Sequence, residues 1–241
     1  IRKMEVQELE KIIRQQEMTN ASTFKVLMRK VYLWMTLALM ITGITAAGVA
    51  NSPNILALIY SSQVVMWGII IAEFGLVIYI SARLEKLSLS TATTLFALYS
   101  ILNGVMLSSI FLLYSTAIIS KVFFITAGTF GVTALYGYAT KKDLSSLGNI
   151  LFMALIGLVI ATIVNVFMKS AMFDLILSYI GVIIFVGLTA WDSQKIKHMM
   201  MVQQDADESA QRLALIGALS LYLDFINLFL YLLRIFGRSN D

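Results

Sequence analysis

The chain has 241 residues, of which 59% are hydrophobic and only 13% charged, with a formal net charge of +4. A soluble domain carries about 25% charged residues, so that class is excluded. With no cysteine and a single histidine, His198, disulfides, thiolate metal sites and multi-histidine clusters within one chain are excluded as well.

Apolar runs of about 20 residues, the length that crosses a bilayer as a helix, recur along almost the whole chain. They give seven candidate spans, at 31–50, 54–82, 89–114, 118–139, 148–168, 173–191 and 213–235. The expected fold is all-α: a polytopic membrane bundle forming one domain over 31–238. Residues 1–30 form a separate N-terminal segment, too polar for a signal peptide, so the first apolar run is expected to act as an uncleaved anchor. Within that segment Val6, Leu9, Ile12 and Ile13 recur at helical spacing among charges of both signs. This predicts a short amphipathic helix lying on the cytoplasmic membrane surface. The turn cluster Asn51-Ser52-Pro53-Asn54 separates the first two runs. The second run is longer than a bilayer needs and is expected to tilt or protrude.

Lys and Arg alternate between the connections. The N-terminal tail carries Arg2, Lys3, Lys11, Arg14, Lys25, Arg29 and Lys30, and the first connection carries none. The following connections hold Arg83 and Lys86, then Lys121, then Lys141 and Lys142, then Lys169, then Lys195, Lys197 and Arg212. The positive-inside rule predicts a cytoplasmic N-terminus, and the positive charge reads as topology rather than nucleic-acid binding. Seven full spans would leave the C-terminus outside. A last segment that enters and returns, with Arg234 and Arg238 at its end, would leave it inside. The stretch Gln203–Gln211, with Asp205, Asp207 and Glu208, has no calcium-loop motif and reads as a solvated acidic turn. His198, beside Lys195 and Lys197, reads as a solvated residue of a basic loop.

Polar residues inside the runs fall into stripes. Gly217, Ser220, Asp224, Asn227 and Tyr231 share a face of the last run, opposite Leu, Ile and Phe. Thr126, Thr129, Thr133, Tyr136 and Thr140 form a stripe in the fourth, which reads as helix-packing glue. Asn165, alone in the fifth, reads the same way. Gln63, Met66, Ile70 and Glu73 share a face of the second. The carboxylates read differently, because an acid at membrane depth is expensive and marks function. Asp224 lies near the middle of the last run, Asp192 closes the run before it, and Glu73 is the third. The two aspartates on neighbouring segments form a candidate proton- or cation-handling pair. Arg83, at the end of the second run, is either a possible partner for Asp192 or a topological flank. The two aspartates can meet only if the sixth helix continues past Trp191, or if water enters from the cytoplasmic side. The first is expected, with Ser178, Gly181 and Asp192 on its inner face.

The segments Ala190-Trp-Asp-Ser-Gln-Lys-Ile-Lys197 and Ser220-Leu-Tyr-Leu-Asp-Phe-Ile-Asn-Leu-Phe-Leu-Tyr-Leu-Leu-Arg-Ile-Phe-Gly237 resemble the signature segments of the Bax inhibitor motif membrane proteins, in their bacterial form. Gly137-Tyr-Ala-Thr-Lys-Lys-Asp-Leu-Ser-Ser-Leu-Gly148 resembles the connection before that family's fifth helix. The resemblance covers about residues 20–238. It implies a seven-helix bundle with the last helix central and the other six around it. It also implies a calcium leak controlled by pH through two aspartates, matched here by Asp192 and Asp224. Arg83 matches the family's latch arginine by position, and Glu73 an acidic position of the same helix. Bacterial members are associated with a membrane-bound ATP-dependent protease.

The combined expectation is a pH-sensitive calcium leak channel of the bacterial cytoplasmic membrane. Calcium is its permeant ion, touching Asp192 and Asp224 only transiently, and no cofactor is called for. Ser220, Asn227, Glu73 and Arg83 are the pore-lining or latch candidates. Calcium takes oxygen ligands, and two close carboxylates titrate as a unit. An intramembrane aspartyl protease also needs two aspartates. Its Tyr-Asp and Gly-x-Gly-Asp motifs are missing, since Asp192 follows Thr189-Ala-Trp191 and Asp224 follows Leu221-Tyr-Leu223. A proton-coupled transporter would suit the acid pair, but no inverted repeat is visible. A non-conducting regulator of a membrane-bound protease is the third alternative.

Overall fold

A computed structural model describes residues 2–83 and 86–237, with the side chains of residues 2–9, 12 and 13 outside that description. The apolar face expected of Val6, Leu9, Ile12 and Ile13, and the cations Arg2, Lys3 and Arg238, therefore lie outside the described residues. Among the described residues there is no strand. The helices are α1 (Arg2–Ala50), α2 (Pro53–Ser61), α3 (Gln63–Arg83), α4 (Leu89–Leu107), α5 (Ile110–Leu113), α6 (Thr116–Ala139), α7 (Ser145–Met168), α8 (Ala171–Met201) and α9 (Glu208–Gly237). Seven helical stretches are long and apolar enough to cross a membrane, as the hydropathy of the sequence predicts.

Helix boundaries follow local chemistry. The hydroxyls of Ser88, Ser115 and Ser170 accept hydrogen bonds from the backbone N–H groups of Thr91, Ile118 and Phe173 and cap α4, α6 and α8. Pro53 opens α2, where its missing N–H costs nothing. At the α7–α8 turn, Lys169 adopts a left-handed conformation (φ 51°), which costs a non-glycine residue about 1 kcal/mol. Asn165 holds that turn: its backbone carbonyl accepts from Lys169 N at 2.7 Å and its side-chain oxygen from Ser170 N at 3.2 Å. Its role is structural, in keeping with the packing reading.

Three boundaries differ from expectation. The run 54–82 is not one tilted helix. It breaks at Ser62, whose backbone is extended, into short α2 and membrane-length α3. The run 89–114 breaks at Ser108 and Ser109 into α4 and α5, and the Ser108 hydroxyl is 3.2 Å from the Tyr60 hydroxyl of α2. Residues 2–50 form one continuous helix rather than a surface helix followed by a span. An uninterrupted helix of 49 residues runs about 73 Å at 1.5 Å per residue, more than twice the hydrocarbon thickness of about 30 Å. From Thr23 onward α1 turns one face into the bundle, through Leu27, Val31, Met35, Ala38, Thr42, Ala46 and Val49. That three-and-four spacing is the packing stripe of a helix.

α9 lies at the centre. Of its most apolar 18-residue stretch 67% is buried, against 6% for α3 and for α7. It packs against α1, α4, α6 and α8; α7 sits outside α8, and α3 packs on α4 and α2. The last helix is thus central, but four main neighbours surround it rather than six. The outer faces of α3 and α7 present Val64, Trp67, Phe74, Phe152, Val159 and Phe167 outward, as lipid-facing helices do.

Candidate functional site

α8 does not stop at Trp191. It continues for ten residues to Met201, which carries Asp192 inside the protein, the alternative that the depth argument favours. Ser178 and Gly181 lie on its buried side. The register against α9 is antiparallel and can be read from two glycines. A Cβ on Gly217 would meet Ile196 at 3.1 Å, and one on Gly181 would meet the Tyr231 ring at 2.7 Å. These pairings set Asp192 level with Ser220 and Leu221, about one helical turn from Asp224. A one-turn offset is within the reach of two aspartate side chains. The two carboxyl groups face each other across the α8–α9 interface, within hydrogen-bonding range should one be protonated.

The surroundings of the pair are asymmetric. Asp224 is 5% exposed, and its Oδ2 is buried with no hydrogen-bond partner. Asp192 is half-buried. The cation that acts on it is Lys195, one turn along α8, whose ammonium stands 5.0 Å over the Trp191 ring. The hydroxyl of Ser193 is buried and unpartnered as well. Arg83 does not join this group. It is exposed in the last turn of α3, and α3 packs at the edge of the bundle on α4 and α2. Of the two readings of Arg83, this position at the bundle edge suits the topological flank. Ser220 is half-buried at the level of Asp192, and His198 is exposed.

The segment around Asp192 is fastened to the α6–α7 connection. Gln194 is buried; its Nε2 donates to the Lys142 carbonyl at 2.7 Å and its Oε1 accepts from Leu144 N at 2.8 Å. Lys197 donates to the Tyr138 carbonyl at 2.7 Å and lies 5.0 Å over that ring. Gly137 and Gly148 allow the approach: a Cβ on Gly137 would run into the Ala190 backbone, and one on Gly148 into the Trp191 ring. Two of the three segments that carry the family resemblance therefore pack on each other. In the same connection the Asp143 carboxylate is met by the Ser145 side chain and accepts from Ser145 N at 2.9 Å, which together hold its carboxyl below the usual carboxylate range.

The α8–α9 turn is fastened too. Thr23 donates to the Gln204 carbonyl, Lys30 to Gln211 Oε1, and Arg212 to the Leu87 carbonyl. Asp207 accepts from Ala210 N and Glu208 from Leu89 N. Asp205, Asp207 and Glu208 are all exposed, as the solvated-turn reading expects, and Asp207 and Glu208 in addition cap α9 and tie it to the start of α4. Thr126 and Thr133 donate to carbonyls of their own helix, consistent with the packing reading of that stripe.

Glu73 and Asn227 meet elsewhere. Both line a cavity of about 360 Å³ between α3, α4 and α9, together with Tyr99 and Asn103. Asn103 Nδ2 donates to Glu73 Oε1 at 2.5 Å. Sequence reading missed Asn103, which sits singly in an apolar run. It also missed the node on the face of α9 opposite Asp224, where Thr42 donates to the Ser100 carbonyl at 2.9 Å and stands 2.7 Å from the Tyr222 hydroxyl. Tyr222 is fully buried and meets Phe96 and Tyr99 edge-on. Among the described residues no group of three or more His, Cys, Asp or Glu side chains could hold a metal ion. The pair alone falls short of the six to eight oxygens of a resident calcium site.

A central last helix, enclosed by its neighbours and bearing a carboxylate opposed by one from the preceding helix, defines a helical membrane protein with a buried acid pair. The chain belongs to the Bax inhibitor family: the family model described as inhibitor of apoptosis-promoting Bax1 matches residues 24–241. It is similar to the inner membrane protein YbhL of Escherichia coli K12, 52% identical over 88% of this chain and 91% of that one. It is also similar to an uncharacterized protein of Borreliella burgdorferi, 46% identical over 88% and 92% of the two chains. The uncharacterized protein RP147 of Rickettsia prowazekii is 43% identical over 89% and 90%.

Proposed function

We propose that this protein is a pH-sensitive calcium leak channel of the bacterial inner membrane, with a cytoplasmic N-terminus and a gate formed by Asp192 and Asp224. The observation that carries this reading is the opposition of the two carboxyl groups at the α8–α9 interface, with Asp224 buried and incompletely hydrogen-bonded. A singly protonated pair shares a hydrogen bond and holds α8 on α9. A doubly ionised pair repels, and in a low dielectric that repulsion is strong. Proton binding therefore biases two arrangements of the helices. Asp224, the buried member, holds the shared proton, and Asp192, half-buried beside Lys195, is the ionised member that meets the passing cation. Calcium touches the pair in transit and does not reside there.

The test is calcium flux through the purified full chain in liposomes, followed over a pH series. Flux should respond to pH in the parent, and Asp192→Asn or Asp224→Asn should each shift or abolish the response. The two changes together should be far from additive. A pH response that survives both substitutions would remove the gate from this pair. A second reading has an observation of its own: residues 14–19 of α1 are exposed, ahead of the point where the helix joins the bundle. Such a helix suits a partner protein, for example a membrane-bound ATP-dependent protease. Absence of flux at every pH would favour that reading.

A further inference from the structure

We propose that the cavity between α3, α4 and α9 is a binding site for a hydrophobic primary amine in its ammonium form, with Glu73 as counter-ion. It is separate from the aspartate pair and does not depend on the calcium reading. The volume of about 360 Å³ lies in the range of small-ligand pockets. Phe74, Val77, Leu223, Ile226 and Leu230 make most of the wall apolar. Phe74, 65% exposed, stands at the rim, so the cavity opens on the outer face of the bundle, where a molecule dissolved in the bilayer can enter.

The polar groups of the cavity are short of donors. Asn103 spends Nδ2 on Glu73 Oε1, and Asn227 spends Nδ2 on the Leu223 carbonyl. Asn103 is 7% exposed, and its Oδ1 is buried with no partner. Among the described residues no lysine, arginine or histidine lines the cavity. A carboxylate, an orphaned amide oxygen and the Asn227 oxygen thus converge with the single Tyr99 hydroxyl as a further donor and no positive charge in the lining to meet them. A primary ammonium brings the charge, with three N–H bonds, and the Tyr99 ring beside it adds a cation–π surface.

Two other cations fit poorly. Calcium needs six to eight oxygens and usually several carboxylates, and among the described residues Glu73 is the only acid lining the cavity. A lipid headgroup amine sits at the membrane surface, whereas Glu73 is ten residues from either end of α3, or about 15 Å in. The occupant is therefore an amine with an apolar body, entering from the hydrocarbon region.

The experiment uses radiolabelled 2-phenylethylamine and the full chain in liposomes at neutral pH, against protein-free liposomes. Saturable binding is expected, with unlabelled 2-phenylethylamine competing at least tenfold better than 2-phenylethanol, its neutral analogue. Glu73→Gln should weaken binding at least tenfold. Val77→Phe, which keeps the carboxylate and fills the cavity, should weaken it to a similar extent. Equal competition by the alcohol would overturn the proposal, as would unchanged binding in Glu73→Gln. Displacement by calcium at matched ionic strength would overturn it in favour of a metal site. Should Glu73→Gln fail to fold, the alcohol, calcium and Val77→Phe arms decide the matter.

Discussion

Gly137 and Gly128 lie on the same helix, α6, and face different surroundings, so the pair isolates what close helix approach is worth. A Cβ on Gly137 would run into the Ala190 carbonyl oxygen and sit 2.7 Å from its carbonyl carbon and 2.8 Å from its Cα, whereas one on Gly128 meets nothing within 4 Å. Carbon atoms rest at about 3.5–4.0 Å, so Gly137→Ala must push α6 from α8 by about 1 Å. Overpacking of this kind costs about 1–3 kcal/mol. Both substitutions gain about 1 kcal/mol of helix propensity, and that gain cancels between them. Gly137→Ala should therefore be less stable than Gly128→Ala by about 1–3 kcal/mol. The assay is reversible unfolding by SDS in mixed micelles, read by tryptophan fluorescence, to which Trp191 at this interface contributes. Ala190 is two residues from Asp192, so Gly137→Ala should also move the pH midpoint of calcium flux, while Gly128→Ala leaves it in place. Equal stability of the two variants would refute the close-approach argument.

Gln194→Ala removes the acceptor for Leu144 N and the donor to the Lys142 carbonyl. At about 1 kcal/mol for the hydrogen bond that this amide loses, hydrogen exchange at the Leu144 amide should accelerate roughly fivefold, with little change in the middle of α9; unchanged exchange would mean that Gln194 does not hold this connection. Thr42 spends its proton on the Ser100 carbonyl, so the Tyr222 hydroxyl is the donor to Thr42. Tyr222→Phe should then cost about 1 kcal/mol, and Thr42→Val, which strands the buried hydroxyl, about 2 kcal/mol; the reverse order in the same SDS titration would show that the node is assigned wrongly.

The number of membrane-length helices was legible because hydrophobic length is a strong signal. Helix breaks were not. Ser62, Ser108 and Ser109 interrupt apolar runs with no proline or glycine at the break, and a serine in an apolar run is ordinary helix-packing chemistry. The continuity of α1 was equally hidden, because charged residues such as Glu10, Lys11 and Arg14 propagate a helix as well as apolar ones. The site was half legible. An aspartate at membrane depth is conspicuous by cost alone, which drew attention to Asp192 and Asp224. Arg83 drew attention by charge and position, yet pairing depends on which helices touch, and α3 stands at the edge. Asn103 and Thr42 carry no such signal; burial against Glu73 and Tyr222 gives them their importance.

The polar stripe of the last helix shows why. Ser220, Asp224 and Asn227 recur at helical spacing, and the periodicity puts them on one inward face with Leu, Ile and Phe opposite. That logic assumes a helix with one protein side and one lipid side. α9 has no lipid side along its middle: Leu221, Tyr222, Asp224, Phe225, Ile226, Leu228 and Phe229 are all buried. Each polar residue is then claimed by a different neighbour. Asp224 faces α8, Asn227 the cavity beside α3, and Tyr222, two residues from Asp224 and so nearly opposite it, reaches α1 and α4. A central helix can therefore feel three polar environments at one depth. A change of packing at the aspartate pair cannot turn or shift α9 without disturbing the Thr42–Tyr222 node on its far side. A shift of α9 is felt by α1, α4, α6 and α8 together, because it packs against all four.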